Sequence, residues 1–407
     1  MARSTPTAAS GSGPLEVLAI FTRLGLTSFG GPVAHLGYFH DEFVTRRRWL
    51  SAEEYADLVA LCQFLPGPAS SQVGIGIGVR RAGVWGAAAA WLGFTLPSAA
   101  LLIAFALGLD AFGDLEGAGS LRGLKIVAVA VVAHALWGMA TKLTPDRARI
   151  TLAVAAAAAA LLWPTGPGQV VTIAVGGLIG WRLFAGTPPR AIAAATRPLG
   201  RWVGAVLLSV FVAALLVLPA VREATASPEV ALIDAFYRSG SLVFGGGHVV
   251  LPLLQAEVVT PGWVDAGTFT AGYGAAQAVP GPLFTFAAYL GATMRPGLAG
   301  IGWGLLALVA VFVPSFLLVL GVLPYWDRLR SLASVRSALH GVNAAVVGIL
   351  LAALYDPVWT SAILLPVDLA LALAAFVALA FWRVPAWGVV LATALAGAAV
   401  ASIGGFA

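Results

Sequence analysis

The sequence predicts an all-α polytopic membrane protein built from two inverted-topology repeats with discontinuous, re-entrant helices. Three observations carry that reading. Composition is the first: of 407 residues, 60% are hydrophobic and only 10% charged, with mean hydropathy +0.93. A soluble domain carries roughly 25% charged residues. Duplication is the second. Phe21-Thr22-Arg23-Leu24-Gly25-Leu26-Thr27-Ser28-Phe29-Gly30-Gly31-Pro32 returns as Phe236-Tyr237-Arg238-Ser239-Gly240-Ser241-Leu242-Val243-Phe244-Gly245-Gly246-Gly247. Downstream, Gln63-Phe64-Leu65-Pro66-Gly67-Pro68 returns as Gln277-Ala278-Val279-Pro280-Gly281-Pro282. Elements recurring in the same order mark an internal duplication. Charge is the third. Arg46-Arg47-Arg48 follows the first glycine element, whereas its counterpart, residues 256–271, has no Lys or Arg but has Glu257 and Asp265. The pattern then swaps: Asp110, Asp114 and Glu116 stand opposite Arg328, Arg330 and Arg336. Positive loops face the cytoplasm, so matching loops lie on opposite faces and the halves are inverted.

Residues 1–14 are small and polar, lack the apolar core of a signal peptide, and read as a flexible tail. A first transmembrane repeat spans 15–185, with apolar segments near 15–36, 68–80, 84–108, 124–141, 148–163 and 168–184. Residues 186–229 hold a basic, Pro-rich linker, Thr187 to Arg201, and one extra crossing, Trp202 to Val221. That unpaired crossing turns the second half over. The second repeat spans 230–407, with segments near 230–250, 282–294, 298–322, 339–355, 360–381 and 386–405. A full crossing needs about 20 residues, so the pieces following each Pro-Gly-Pro are half-helices or re-entrant elements. Ser51-Ala52-Glu53-Glu54 reads as a capped helix start, and Asp265 opens the matching piece. Trp49 and Trp263 precede these pieces and suit an interface.

Breakers and charges inside apolar segments are the candidates for chemistry. Gly30-Gly31-Pro32 and Gly245-Gly246-Gly247 let the backbone approach a ligand, and a helix restarting there offers N–H groups to an anion. Close packing of small residues is the competing account. Pro66-Gly67-Pro68 and Pro280-Gly281-Pro282 end one helix and start another. Ser70, Ser71 and Thr285 add hydroxyls beside them, and Gln63 and Gln277 can donate to an oxyanion; a packed kink explains the glutamines equally well. Arg23 and Arg238 are intramembrane arginines, functional by default and suited to tetrahedral oxyanions; snorkelling or pairing with a carboxylate is the alternative. Glu42 and Glu257 occupy matching positions and are candidates for proton coupling, or for partners of the arginines. Lys125 and His340 match at the start of a later span, with Asn343 one turn on, and are candidate pathway residues. His35 and His248 beside the glycine turns read as structural.

No enzyme is expected. The chain has no His-Glu-x-x-His, no Walker loop and no dinucleotide fingerprint. Its one cysteine, Cys62, allows neither a disulfide framework nor a thiolate cluster, so no metal or cofactor is expected. The net charge of +5 needs no nucleic-acid partner, since Lys and Arg at cytoplasmic span ends account for it.

FGGPVAHLGYFHDEFVTRRRWLSAEEYADLVALCQFLPGP, from Phe29, resembles the amino-terminal signature of the chromate ion transporter family. FGGGHVVLPLLQAEVVTPGWVDAGTFTAGYGAAQAVPGP, from Phe244, resembles its carboxy-terminal signature. The resemblance covers nearly the whole chain in the full-length, two-repeat form. It implies a secondary transporter that exports chromate across the plasma membrane by alternating access and confers chromate resistance, with sulfate as the similar competitor. It carries over Arg23, Gly30, Gly31, Pro32, Gln63, Pro66, Gly67 and Pro68, and Gly245, Gly246, Gly247, Gln277, Pro280, Gly281 and Pro282, as family-motif residues. A sulfate transporter or an anion channel of the same architecture is the alternative. The partners expected are the transported anion and membrane lipid, with a homodimer left open. On this reading, Arg23→Gln or Arg238→Gln abolishes transport without loss of expression.

Overall fold

Apolar runs in a bilayer satisfy their backbone internally by coiling, and Gly and Pro punctuate where one helix stops and the next begins. The computed structural model describes residues 13–111, 119–184, 200–244, 247–329 and 332–402, and every regular element among them is helical. Residues 1–12 of the tail expected at 1–14, most of the basic linker and the loop residues Asp114, Glu116 and Arg330 lie outside the described residues, and Pro14 already begins the first helix.

Each half opens with helices too short to cross. The first half has α1 (Pro14–Thr27), α2 (Gly31–His40) with a wider π-helical continuation (Asp41–Arg46), α3 (Ala52–Phe64) and α4 (Ala69–Ala111). α4 leaves helical geometry at Ala82 and Gly83. The 14 residues of α1 rise about 21 Å, against a hydrocarbon core of about 30 Å. Glu16, near the start of α1, pairs with Arg47 at 3.3 Å and with Arg81 at 3.7 Å. The start of α1, the end of the α2 arm and the α4 break therefore meet at one base, with both turns pointing away from it. The expected single segments 15–36 and 230–250 are each broken, the first where Gly30 takes φ 101°.

Ser51 caps α3 reciprocally: its hydroxyl accepts the Glu54 N–H at 3.1 Å, and the Glu54 carboxylate accepts the Ser51 N–H at 2.8 Å. α5 (Gly119–Leu143), α6 (Arg147–Leu162) and α7 (Gly166–Leu183) complete the first half, and α8 (Arg201–Thr225) follows. The second half repeats the order with α9 (Pro228–Ser241), α10 (Val250–Val258), α11 (Ala266–Ala276), α12 (Phe286–Thr293) and α13 (Leu298–Val322). It ends with α14 (Trp326–Leu329), α15 (Ala333–Ala353), α16 (Thr360–Ala362), α17 (Pro366–Ala380) and α18 (Ala386–Ser402). Among the described residues five stretches are long and apolar enough to cross a membrane: Ala69–Leu109, α5, α8, Leu298–Tyr325 and Ala333–Ala362. The chain is a multi-pass, all-α membrane protein. α8 buries little of itself, and Val206, Val210, Leu216 and Val217 stand exposed, as lipid-facing side chains do.

The last helices of each half pack on the opposite half. α5 packs against α17 and α18, and α15 against α6 and α7. Small residues permit both contacts. A Cβ at Gly397 of α18 would stand 2.9 Å from Gly123 Cα of α5, and one at Gly341 of α15 would stand 2.7 Å from Gly180 Cα of α7. Arg122 of α5 clamps buried Asp368 of α17 with two hydrogen bonds, of 3.0 and 2.7 Å. Gly341→Leu drives a side chain into the α7 backbone, and overpacking of this kind costs about 1–3 kcal/mol. A lower melting temperature in detergent is the expected result.

Candidate functional site

Two prolines flanking one glycine cannot continue a helix, so each Pro-Gly-Pro leaves its glycine N–H free to bond elsewhere. Both find the same kind of partner, in the other half. Gly67 donates its N–H to the Val243 carbonyl at 2.7 Å, and Gly281 donates to the Ser28 carbonyl at 2.9 Å. Ser28 and Val243 each lie two residues before their glycine turn. The four breaks thus join crosswise, each Pro-Gly-Pro against the opposite glycine element. Gly67 and Gly281 hold φ of 123° and 102°, a conformation open to glycine and strained for other residues.

A further repeat supports these crossings. Pro97-Ser98 of α4 and Pro314-Ser315 of α13 are prolines within long helices, each followed by a buried serine. A Cβ on Gly281 would stand 2.9 Å from Ser98 Oγ, and one on Gly67 would stand 2.9 Å from Ser315 Oγ. Trp303 near the start of α13 lines one cavity with Ser227 and Pro228 at the start of α9, which marks the base of the second-half hairpins, and α13 passes the tips at Ser315. Beyond them, Trp326 Nε1 donates to Asp57 of α3 at 3.0 Å.

Beside the Gly281 crossing lies a cavity of about 430 Å³. Its polar lining comes from Gly30, Gly31, His134, His248, Gln277 and Arg383, and among the described residues no Asp or Glu lines it. α2 starts at this cavity from Gly30 with no side-chain cap, so the amino-terminal N–H groups and dipole of a ten-residue helix point at an unneutralised space. Gln277 Nε2 is buried without a hydrogen-bond partner. Arg383, in the turn between α17 and α18, holds φ 56° and has no ion pair among the described residues. His248 Nδ1 lies 2.6 Å from the Tyr273 hydroxyl. Donors and positive charge without a carboxylate make this cavity suited to an anion.

Of the residues singled out in the sequence, Gly30, Gly31, Gln277 and Gly281 meet at this cavity. Gly67 lies at the reciprocal crossing, and Gly245 and Gly246 fall outside the described residues. Ser70 is buried 3.3 Å from His35 Nδ1, while Thr285 Oγ1 donates to the Pro282 carbonyl at 2.7 Å within its own turn. Gln63 is exposed at the end of α3 and does not line the cavity. Lys125 Nζ lies against Gly267 at the start of α11, and His340 and Asn343 are half-buried on α15 away from the cavity.

The arginines expected at the glycine turns also stand apart from the cavity. Arg23 pairs with buried Glu42 at 2.6 Å, and that carboxylate also takes Arg46 at 2.9 Å and Arg47 at 2.6 Å. Arg238 pairs with Asp234 and reaches Glu257 at 3.5 Å. A buried carboxylate on the same hairpin holds each guanidinium, which is the pairing alternative noted above. Both glutamates considered for proton coupling are therefore ion-pair partners. Sequence reasoning missed His134 and Arg383. His134 carried a signal, an ionisable side chain inside a span. Arg383, flanked by two apolar helices, reads as an ordinary interfacial charge.

The family model described as Chromate transporter matches this chain twice, over residues 15–181 and 230–398. The chain belongs to the chromate transporter family. A chromate transport protein of Pseudomonas aeruginosa is 30% identical over 358 residues, which is 84% of this chain and 80% of that protein. A chromate transport protein of Cupriavidus metallidurans is 26% identical, over 82% of this chain and 80% of its own length. An uncharacterized transporter of Methanocaldococcus jannaschii is 25% identical, over 83% of each. No solved structure matches the chain. Both family matches contain a glycine element and a Pro-Gly-Pro, so each crossing joins one copy of the family unit to the other. Among the described residues no cluster of three or more metal-ligating side chains occurs.

Proposed function

We propose that this member of the chromate transporter family is a secondary transporter that exports chromate across the plasma membrane by alternating access and so confers chromate resistance. The supporting observation is the carboxylate-free cavity at the Gly281 crossing, with the uncapped start of α2, Gln277 and Arg383 around it. A dianion loses its hydration there and gains fixed N–H donors and one guanidinium. Inverted topology of the halves is part of the proposal. It is supported by the reciprocal crossings and by α13, which runs from the second-half base past the tips to α3. Two units joined crosswise at their tips can rock about those contacts and open the cavity to each face in turn. A membrane potential negative inside favours dianion export by about 2.3 kcal/mol per charge per 100 mV, so no coupling ion is obligatory.

The test is uptake of labelled chromate into inside-out vesicles holding the purified protein, with unlabelled sulfate as competitor. Saturable chromate uptake with counterflow supports the proposal. Accumulation of sulfate with chromate acting only as a competitor transfers the reading to sulfate. Flux linear in concentration makes the protein a channel. The ion pairs also set a contrast. Arg23→Gln leaves Glu42 with Arg46 and Arg47, and loss of one half-exposed pair costs under about 1 kcal/mol. Transport close to wild type is the expected result in the same vesicles.

A further inference from the structure

A second cavity, about 430 Å³, lies at the base of the second-half hairpins. Trp303 in its wall is twelve residues along α13 from Ser315, about 18 Å from the level of the tips. The wall is formed by Arg222 at the end of α8, Ser227 and Pro228 at the start of α9, and Trp263, Arg295 and Trp303. Met294 adds apolar surface.

The two arginines differ in what holds them. Arg222 stacks over Trp263 at 5.6 Å and pairs with Asp234 at 3.3 Å. Arg295 stacks on Trp303 at 4.5 Å and has no ion pair among the described residues. The neighbouring carboxylate, Glu229, is exposed and accepts the Ser227 hydroxyl at 2.8 Å. The matching arginine of the first half is Arg81, followed like Arg295 by a positive-φ glycine, Gly83 or Gly297. Arg81 is stacked on Trp49 at 4.6 Å and, unlike Arg295, has an ion pair, with Glu16 at 3.7 Å. The second half thus breaks the symmetry, leaving over an open cavity a guanidinium with no ion pair among the described residues and only exposed Glu229 as a nearby counter-charge.

What lies deeper is apolar and uncovered. Leu298, the first residue of α13, is 82% exposed, and Leu216, Val217, Leu305 and Val309 stand exposed farther along α8 and α13. These two helices pack against each other. We propose that this cavity binds the phosphate of an anionic phospholipid. Arg295 and Arg222 hold the phosphate, Trp263 and Trp303 sit at headgroup level, and the acyl chains lie along the exposed α8–α13 face. A free anion would use the guanidinium alone. The adjoining apolar face, open to the bilayer, favours a ligand with a hydrocarbon tail.

The test compares the purified full chain in phosphatidylcholine nanodiscs with and without phosphatidylglycerol, read by thermal unfolding, and by native mass spectrometry for retained lipid. Wild type is expected to retain phosphatidylglycerol and to melt at a higher temperature with it. Arg295→Gln is expected to bind it about tenfold more weakly and to lose the rise. Arg295→Lys keeps the charge without the planar fork and retains part of the rise. Should Arg295→Gln fail to give monodisperse protein, Trp303→Leu takes its place with the same expectation. An unchanged response to phosphatidylglycerol in these variants overturns the proposal. So does an equal, Arg295-dependent rise with inorganic phosphate in phosphatidylcholine alone, which assigns the cavity to a free oxyanion.

Discussion

Arg383→Gln is expected to abolish measurable chromate transport while leaving expression and melting temperature close to wild type. Among the described residues Arg383 is the only Lys or Arg lining the tip cavity, no carboxylate lines it, and the side chain has no ion pair to lose. A charge-assisted hydrogen bond contributes about 1.5–3 kcal/mol, which corresponds to about 10- to 100-fold in affinity. Removing the guanidinium also leaves a dianion in a space with only neutral donors and a helix end, so the larger figure applies. Arg383→Lys keeps the charge and loses the planar fork, and an intermediate rate is expected. Initial rates of labelled chromate uptake in inside-out vesicles check both variants. Unaltered rates in Arg383→Gln would place the anion elsewhere.

Gly281→Val and Gly67→Val are expected to be as damaging, by a different route. Each glycine holds a left-handed backbone, and each would drive its new side chain into a serine 2.9 Å away. The backbone costs about 1–2 kcal/mol and the overpacking about 1–3 kcal/mol more. The strain falls on the only described N–H···O=C bonds between a Pro-Gly-Pro and a glycine element, so the crossing itself opens. Transport is expected to fall below detection, with a lower melting temperature. Gly262→Val is the control. Gly262 has φ 80° with no atom within 4 Å of an added Cβ, so that variant carries the backbone cost alone. Activity retained in Gly262→Val and lost in both others would locate the effect at the crossings.

Much of this arrangement is legible in the residues, and the parts that are not have physical reasons. Sixty per cent hydrophobic composition requires helices in a bilayer, and Gly30 and the Pro-Gly-Pro pairs mark where those helices stop. Recurrence of the two motifs identifies which breaks correspond. It does not say which breaks touch, because a repeat unit carries no record of its partner, and the pairing of Gly67 with Val243 and Gly281 with Ser28 comes from tertiary packing. The exchange of α5 and α15 between halves is hidden for the same reason. Pro97-Ser98 and Pro314-Ser315 recur as well, but a proline and a serine in a long apolar run read as a kink. Arg23 and Arg238 stood out as intramembrane charges, and the carboxylates that hold them, Glu42 and Asp234, are four or more positions away along their hairpins. Local charge pairing took precedence over convergence on the glycine turns, since a buried carboxylate is costly to leave without a counter-ion. Arg383 was hidden by its place between two spans, where basic residues are common.

The central claim is that the anion sits in the carboxylate-free cavity at the Gly281 crossing, apart from the paired arginines. Equilibrium binding of labelled chromate to purified wild type, Arg383→Gln and Arg23→Gln, read by scintillation proximity, tests it most directly. Saturable binding to wild type and Arg23→Gln, and its loss in Arg383→Gln, are expected. Binding kept by Arg383→Gln and lost by Arg23→Gln would contradict it and return the site to the Glu42 cluster.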